Sequence, residues 1–174
     1  MANWQLDPAH SELEFKVRHM MISTVKGQFK SFEVNVENSS DDLTQAQVVV
    51  KIETDSIDTK NEQRDQHLKS SDFFDAANNQ FITFKSTSIE KEDDDEYKIT
   101  GDLTIKGVTK SITVDVEFGG AAKDPWGNDK VGYTVRGKIN RADFGLTWNA
   151  ALETGGVVVS EEVKFSVDLQ FVKS

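Results

Sequence analysis

Glu12-Leu13-Glu14-Phe15-Lys16-Val17-Arg18-His19 alternates charged and apolar side chains with only His19 breaking the apolar row. Successive side chains of an extended strand point to opposite faces. Leu13, Phe15, Val17, His19 and Met21 therefore share one face, and Glu12, Glu14, Lys16 and Arg18 share the other. That pattern is a half-buried strand, and it recurs along the chain. Val25, Gly27 and Phe29 continue it, then the phase slips to Phe32, Val34 and Val36. One extra residue near Lys30-Ser31 predicts a β-bulge there. Ala46, Val48, Val50 and Ile52 form a third run, and Ile82, Phe84, Ser86 and Ser88 a fourth. Tyr97, Ile99, Gly101, Leu103 and Ile105 make the fifth; Ile112, Val114, Val116 and Phe118 the sixth. Val131, Tyr133, Val135, Gly137 and Ile139 make the seventh; Val163, Phe165, Val167, Leu169 and Phe171 the eighth.

Eight strands with one polar face each argue against a parallel doubly wound sheet, whose strands are apolar on both sides. Lys106-Gly107 reads as a tight turn, Asp124-Pro125-Trp126-Gly127-Asn128 as a hairpin loop, and Glu92-Asp93-Asp94-Asp95 as a solvated one. The expected fold is all-β: an extended eight-stranded antiparallel barrel, lipocalin-like, without free edges. One insert departs from it, between the third and fourth strands. Thr59 to Lys69 favours helix, with Thr59 and Glu62 spaced as a capping box. Ser70 to Asp75 reads as a second helical turn whose Phe73 and Phe74 plug one barrel end. The other long connection, Arg141 to Gly156, carries Phe144, Leu146 and Trp148 in alternation and reads as a bent strand extension or a lid.

Composition narrows the function classes. The 174 residues carry 20 Lys+Arg against 30 Asp+Glu, a net charge of −10. Nucleic acid and anionic membranes require a positive surface, so neither is an expected partner. With no Cys, a thiolate metal site and a Cys nucleophile are excluded. The three histidines, His10, His19 and His67, fall in an entry loop, a strand and the insert, with no paired spacing. Neither a metal nor a cofactor is expected. No nucleophile elbow and no phosphate-binding glycine loop is present. No apolar run reaches the roughly 20 residues of a membrane-spanning helix. The first residues lack a basic start and an apolar core segment, so the expectation is one cytoplasmic domain over residues 1–174, without stable membrane insertion. A homodimer is the assembly considered.

A barrel of this size either fills with its own side chains or holds one small ligand. The inward positions that would line a channel are Phe15, Val17, His19, Met21, Phe29, Val50, Ile52, Phe84, Ile99, Leu103, Tyr133, Val135, Phe165 and Leu169, with Trp148 from the long connection. Gly27, Gly101 and Gly137 lie in phase among them. They either leave space for an apolar guest or mark bends at barrel corners. Arg141 has two readings: a grip on an anionic head group at a barrel mouth, or a partner of Asp143 in fixing a sharp bend.

Several short stretches are recognisable together: Trp4-Gln5-Leu6-Asp7-Pro8-Ala9-His10-Ser11, Ser56-Ile57-Asp58-Thr59, Arg64-Asp65-Gln66-His67-Leu68, Asp72-Phe73-Phe74-Asp75, Gly101 to Thr109, and Asn140-Arg141-Ala142-Asp143-Phe144-Gly145. In this order and over nearly the whole chain, the sequence resembles the YceI-like family of lipocalin-like polyisoprenoid-binding proteins. The resemblance implies a channel holding a long isoprenoid, either a polyprenyl phosphate or a quinone tail, for storage or transport. The rival readings are an enzyme acting on a small lipophilic substrate inside the barrel, and a filled barrel serving as a stress-related interaction module.

Overall fold

The computed structural model describes residues 4–19, 23–37, 43–146 and 159–173. In chain order these form β1 (Trp4–Leu6), β2 (Glu12–His19), β3 (Ser23–Phe29), β4 (Phe32–Glu37), β5 (Gln47–Glu53), β6 (Ile57–Asp58), α1 (Glu62–Lys69), β7 (Phe81–Asp93), β8 (Glu96–Ile105), β9 (Val108–Lys123), β10 (Asp129–Asn140) and β11 (Val159–Lys173). All described strands belong to one eleven-stranded sheet in the order β4-β5-β7-β8-β9-β10-β11-β2-β3-β6, with β1 added to β11. Every pairing is antiparallel. The sheet curls round one apolar interior.

Eleven strands replace the eight expected from alternation, for identifiable reasons. A break at Lys30-Ser31 divides one run into β3 and β4, and beyond the Ala46-to-Ile52 run, which forms β5, a 3-10 turn over Thr54–Ser56 leads into the short β6. The pairing nevertheless crosses both breaks: Glu53 N donates to Ser31 O at 3.0 Å and Lys30 N to Ser56 O at 3.2 Å. The eleventh strand, β1, is too short to show a period.

Local chemistry accounts for the connections. Lys106 and Gly107 both take positive φ, 52° and 78°, between the paired residues Ile105 and Val108. That is the turn whose twist matches a two-residue hairpin. In the β9–β10 loop, Asp124 Oδ1 accepts from Trp126 N and Asn128 N, both at 2.9 Å, and these bonds hold the carboxyl below its ordinary range. The Asp7-to-Ser11 stretch is a clip. Asp7 N donates to Gln170 O at 2.7 Å, and Ser11 Oγ donates to Asp7 O at 2.7 Å. Ser11 Oγ in turn accepts from Gln170 N at 3.1 Å, so the chain entry is fastened to β11.

Three local expectations are corrected. The cap of α1 is Asn61, whose side chain accepts from Arg64 N at 3.1 Å, and not Thr59. Thr59 instead binds Asp65 Oδ1 through both its backbone N–H and its hydroxyl. Ser70 to Asp75 is a set of hydrogen-bonded turns that closes the end of α1, with Phe73 N donating to Ser70 O and Phe74 N to Leu68 O, both at 3.0 Å. In β7 the alternation breaks: Ser86 is buried, Ser88 is exposed and Ile89 is buried again. The register with β8 shifts between Ser86 and Ser88, so a bulge turns Ser88 outward. Ser86 Oγ is satisfied by Val48 N at 2.8 Å.

The interior has two apolar clusters. One gathers Leu13, Phe29, Ile52, Ile57, Ile82, Leu103, Ile105, Phe144 and Leu146, with Leu68 of α1 and Phe74 packed on it. The other gathers Val34, Val48, Ile89, Ile99, Val114, Val116 and Phe171, with Trp4 and Tyr133 packed on it.

Candidate functional site

Between and along these clusters runs a cavity of about 660 Å³, within the range of small-molecule sites. Phe15, Val17, Phe29, Val50, Ile52, Phe84, Ile99, Leu103, Tyr133, Val135, Arg141, Phe165 and Leu169 all lie on its wall. Arg141 apart, these are the inward positions set by alternation, brought from seven different strands to one interior. The His19 side chain, Met21 and Trp148 lie outside the described residues. Burial pushes the Tyr133 hydroxyl above its ordinary pKa, so it stands neutral on this wall.

The in-phase glycines do not enlarge the cavity for a guest. Each carries a phenylalanine ring. A Cβ on Gly27 would sit 2.3 Å from Phe15 Cζ, on Gly137 2.5 Å from Phe165 Cζ, and on Gly101 2.6 Å from Phe84 Cζ. Gly27 and Gly137 are the direct cross-strand partners of Phe15 and Phe165. The rings cover the glycine backbone and face the cavity with their other side, a known way of stabilising glycine in a sheet.

Alternation alone does not reveal the polar part of the wall. Thr59, Asn61, Gln63, Arg64 and His67 line the cavity from the insert, together with Phe73 and Phe74. The signal was present: Arg64, His67 and Leu68 are spaced to share one helix face. Asn61 and Gln63 are the exposed residues of the described wall, so the cavity meets solvent at the α1 end. Arg64 is fixed there: Nε donates to Thr59 Oγ1 and Nη2 to Thr59 O, both at 2.8 Å. His67 Nε2 meets Asp72 Oδ2 at 2.9 Å, and its ring stands edge-on to Phe73 at 5.1 Å.

Arg141 opens a 3-10 helix over Arg141–Phe144, closed by Gly145 at φ 75°. Only 5% of Arg141 is exposed. Its Nη1 donates to Leu146 O at 2.9 Å, and its guanidinium lies 5.8 Å from the Phe73 ring centroid. Burial lowers its pKa, and the charge of Glu161 opposes that shift. Asp143, in the same 3-10 helix, is exposed. Arg141 thus both ties the bend and contributes to the cavity wall.

A curled antiparallel sheet around one apolar cavity with a polar end is an architecture with room to enclose a small molecule. The family model of the YceI-like domain matches residues 4–171. The chain belongs to the YceI-like family. It is 46% identical over 172 residues to the UPF0312 protein of Staphylococcus aureus strain N315, covering 98% of each chain. The crystal structure of the Campylobacter jejuni YceI protein superposes with a TM-score of 0.77 at 34% identity over 90% of both chains. A polyisoprenoid-binding domain from Saccharophagus degradans shares the fold alone, with a TM-score of 0.75 at 15% identity and full coverage of both chains.

Proposed function

We propose that this protein binds one long isoprenoid chain along the cavity and stores or carries it, without transforming it. The observation that carries this reading is the wall: phenylalanine, valine, leucine and isoleucine from most of the strands enclose a space that their own side chains leave open. A chain moved from water into such a wall gains roughly 0.8 kcal/mol per buried CH₂. Burial is sufficient chemistry, and no catalytic group is required. The fold shared with the polyisoprenoid-binding domain supports the same ligand class by analogy. A filled barrel is disfavoured by the open volume.

Mass spectrometry of an organic extract of the purified protein tests the reading directly, with a prenyl lipid expected at near-stoichiometric amount. Delipidated protein given a prenyl lipid at about 100 times its Kd is expected to gain roughly 2.7 kcal/mol of stability. An empty extract together with an unmoved thermal midpoint overturns the proposal.

A further inference from the structure

We infer that residues 61–74, α1 with the turns that follow it, form a lid: they swing about Lys60 and Asp75 to admit a prenyl chain at the α1 end and close behind it, with Thr59 as the catch. The inference rests on the lipid-binding reading above and adds the route of entry. Among the described residues, three that are not glycine take positive φ: Lys60 at 62°, Asp75 at 47° and Lys106 at 52°. A side chain disfavours that region, so a residue stays there only where its surroundings hold it. Lys60 and Asp75 bracket the segment, and a few such positions able to change conformation are what a hinge needs. Lys106 lies outside the segment and ties it down, its Nζ donating to Ser71 O at 2.8 Å.

Little apolar contact holds α1 between these hinges. Its eight residues are too few for a helix stable by itself. None of them is buried, and Leu68 supplies its apolar contact with the core. Lys69 Nζ meets Asp55 Oδ1 at 3.6 Å, but the Asp55 side chain is exposed and such a pair adds little. The stronger bonds converge on buried Thr59. Its N–H and hydroxyl donate to Asp65 Oδ1, and its hydroxyl oxygen and carbonyl accept from Arg64. Every polar group of Thr59 is thus engaged by α1. A helix seated by one residue's hydrogen bonds opens more readily than the paired sheet around it. The lid's underside is made to cover a chain: Leu68, Phe73 and Phe74 line the cavity, and Asn61 and Gln63 stand where it meets solvent. A bound chain touches those apolar side chains in the shut state, so binding favours closure.

The test exploits a chain without cysteine. In a double variant, Thr59→Cys with Asp65→Cys, reduction leaves the catch broken and oxidation makes it covalent, at two positions whose side chains are in hydrogen-bond contact. The delipidated variant is loaded while reduced with a radiolabelled long-chain prenyl alcohol, then oxidised or kept reduced, with the disulfide verified by mass spectrometry. Release into excess unlabelled alcohol is expected to be at least about tenfold slower from the oxidised form than from the reduced one. Wild type, which has no thiol, is expected to release at one rate under both conditions. Asp65→Ala breaks the catch without a thiol and is expected to load and release faster than wild type, with circular dichroism as the check on folding; it carries the test alone if the disulfide does not form. In unloaded wild type, the amides of α1 are expected to exchange faster than those of β8 and β9, and to slow on loading. Equal release from the oxidised and reduced forms overturns the lid and leaves lipid binding standing. So does an Asp65→Ala variant that loads and releases at wild-type rates, or an α1 whose amides exchange as slowly as the sheet. If wild type takes up no prenyl alcohol, the lipid reading falls and this inference falls with it.

Discussion

The Phe15 ring lies so close over Gly27, its partner on the neighbouring strand, that the two positions form one packing unit. The ring also meets Phe29 at 5.5 Å between centroids, and Phe29 meets Phe74 at 5.8 Å. A line of contact thus runs from a strand glycine, through two core aromatics, to the turn that follows α1. The rings that cover backbone at one side form the cavity wall at the other. Wall position is accordingly set by the absence of a side chain at 27.

Gly27→Ala tests that dependence. Gly27 is not among the residues with positive φ, so alanine is conformationally acceptable there and removes backbone entropy from the unfolded chain. Only the contact opposes it. The added Cβ must displace the Phe15 ring into the cavity or distort the pairing, an overpacking cost of about 1–3 kcal/mol. Urea denaturation is expected to show that loss. A double variant, Gly27→Ala with Phe15→Leu, is expected to recover part of it. A neutral or stabilising Gly27→Ala would show that the ring moves freely.

Val50→Trp tests the open space. Val50 is half-buried and lines the cavity, pairing with Val34 on one side and Phe84 on the other. In a filled core a ring of that size costs about 1–3 kcal/mol. Here it has open volume to enter. Apo stability by urea melt is expected to fall by less than about 1 kcal/mol, while extractable lipid per chain drops sharply. Ile99→Trp is the companion: Ile99 also lines the cavity but is 7% exposed within an apolar cluster, so a larger apo loss is expected there. Unchanged lipid loading in both variants would place any ligand elsewhere.

Much of this wall is legible in the sequence because a strand has a period of two and one buried face. Leu13, Phe15 and Val17, or Tyr133 and Val135, must fall together once the segment is extended. What period cannot show is where it breaks. The β7 bulge that exposes Ser88 depends on pairing with β8, a tertiary fact that leaves no mark in Ile82 to Ile89. The cap of α1 is hidden for a related reason. Thr59 and Asn61 are both good caps by type, and the choice is made by Asp65, which engages Thr59 from within the helix. The glycines were ambiguous because sequence separation hides cross-strand partners; Gly137 and Phe165 are far apart in the chain and adjacent in the sheet. Of the polar end, Arg141 is legible, whereas Thr59, Asn61, Gln63, Arg64 and His67 are not, because alternation does not describe an insert.

The clip at the chain entry gives a pH dependence. Asp7 Oδ2 meets His10 Nδ1 at 2.7 Å and Lys130 Nζ at 3.3 Å. The hydrogen bond from His10, aided by Lys130, holds the Asp7 carboxyl below its ordinary range. A carboxyl that binds its proton more weakly folded than unfolded stabilises the fold above the unfolded pKa, about 3.9. That contribution is lost as pH falls through the lower folded value. Asp7→Asn keeps an acceptor for Ala9 N but removes the charge. It is expected to lower stability in urea at neutral pH, and the gap from wild type is expected to close in acid as pH falls through the lowered folded-state pKa of Asp7. A gap that persists unchanged in acid would assign the effect to packing.

Thr54 offers a variant expected to stabilise. It is 1% exposed in the 3-10 turn between β5 and β6, and its backbone N donates to Gln80 O at 3.0 Å. Its hydroxyl is buried with no hydrogen-bond partner among the described residues. An unsatisfied buried hydroxyl costs about 1–3 kcal/mol in lost hydration. Thr54→Val keeps the branched shape and removes that group, so a gain of roughly 1 kcal/mol is expected. Thr54→Ser keeps the hydroxyl and deletes the methyl, so it is expected to destabilise by the loss of a buried carbon, roughly 1 kcal/mol. Urea denaturation of the three proteins orders them Val above Thr above Ser. The order Thr above Val would show that the hydroxyl holds a bond worth more than its burial, to a trapped water or to a backbone carbonyl. The turn over Thr54–Ser56 would then depend on that bond, and the β5–β6 run would loosen in Thr54→Val, visible as faster amide exchange at Lys30 and Glu53.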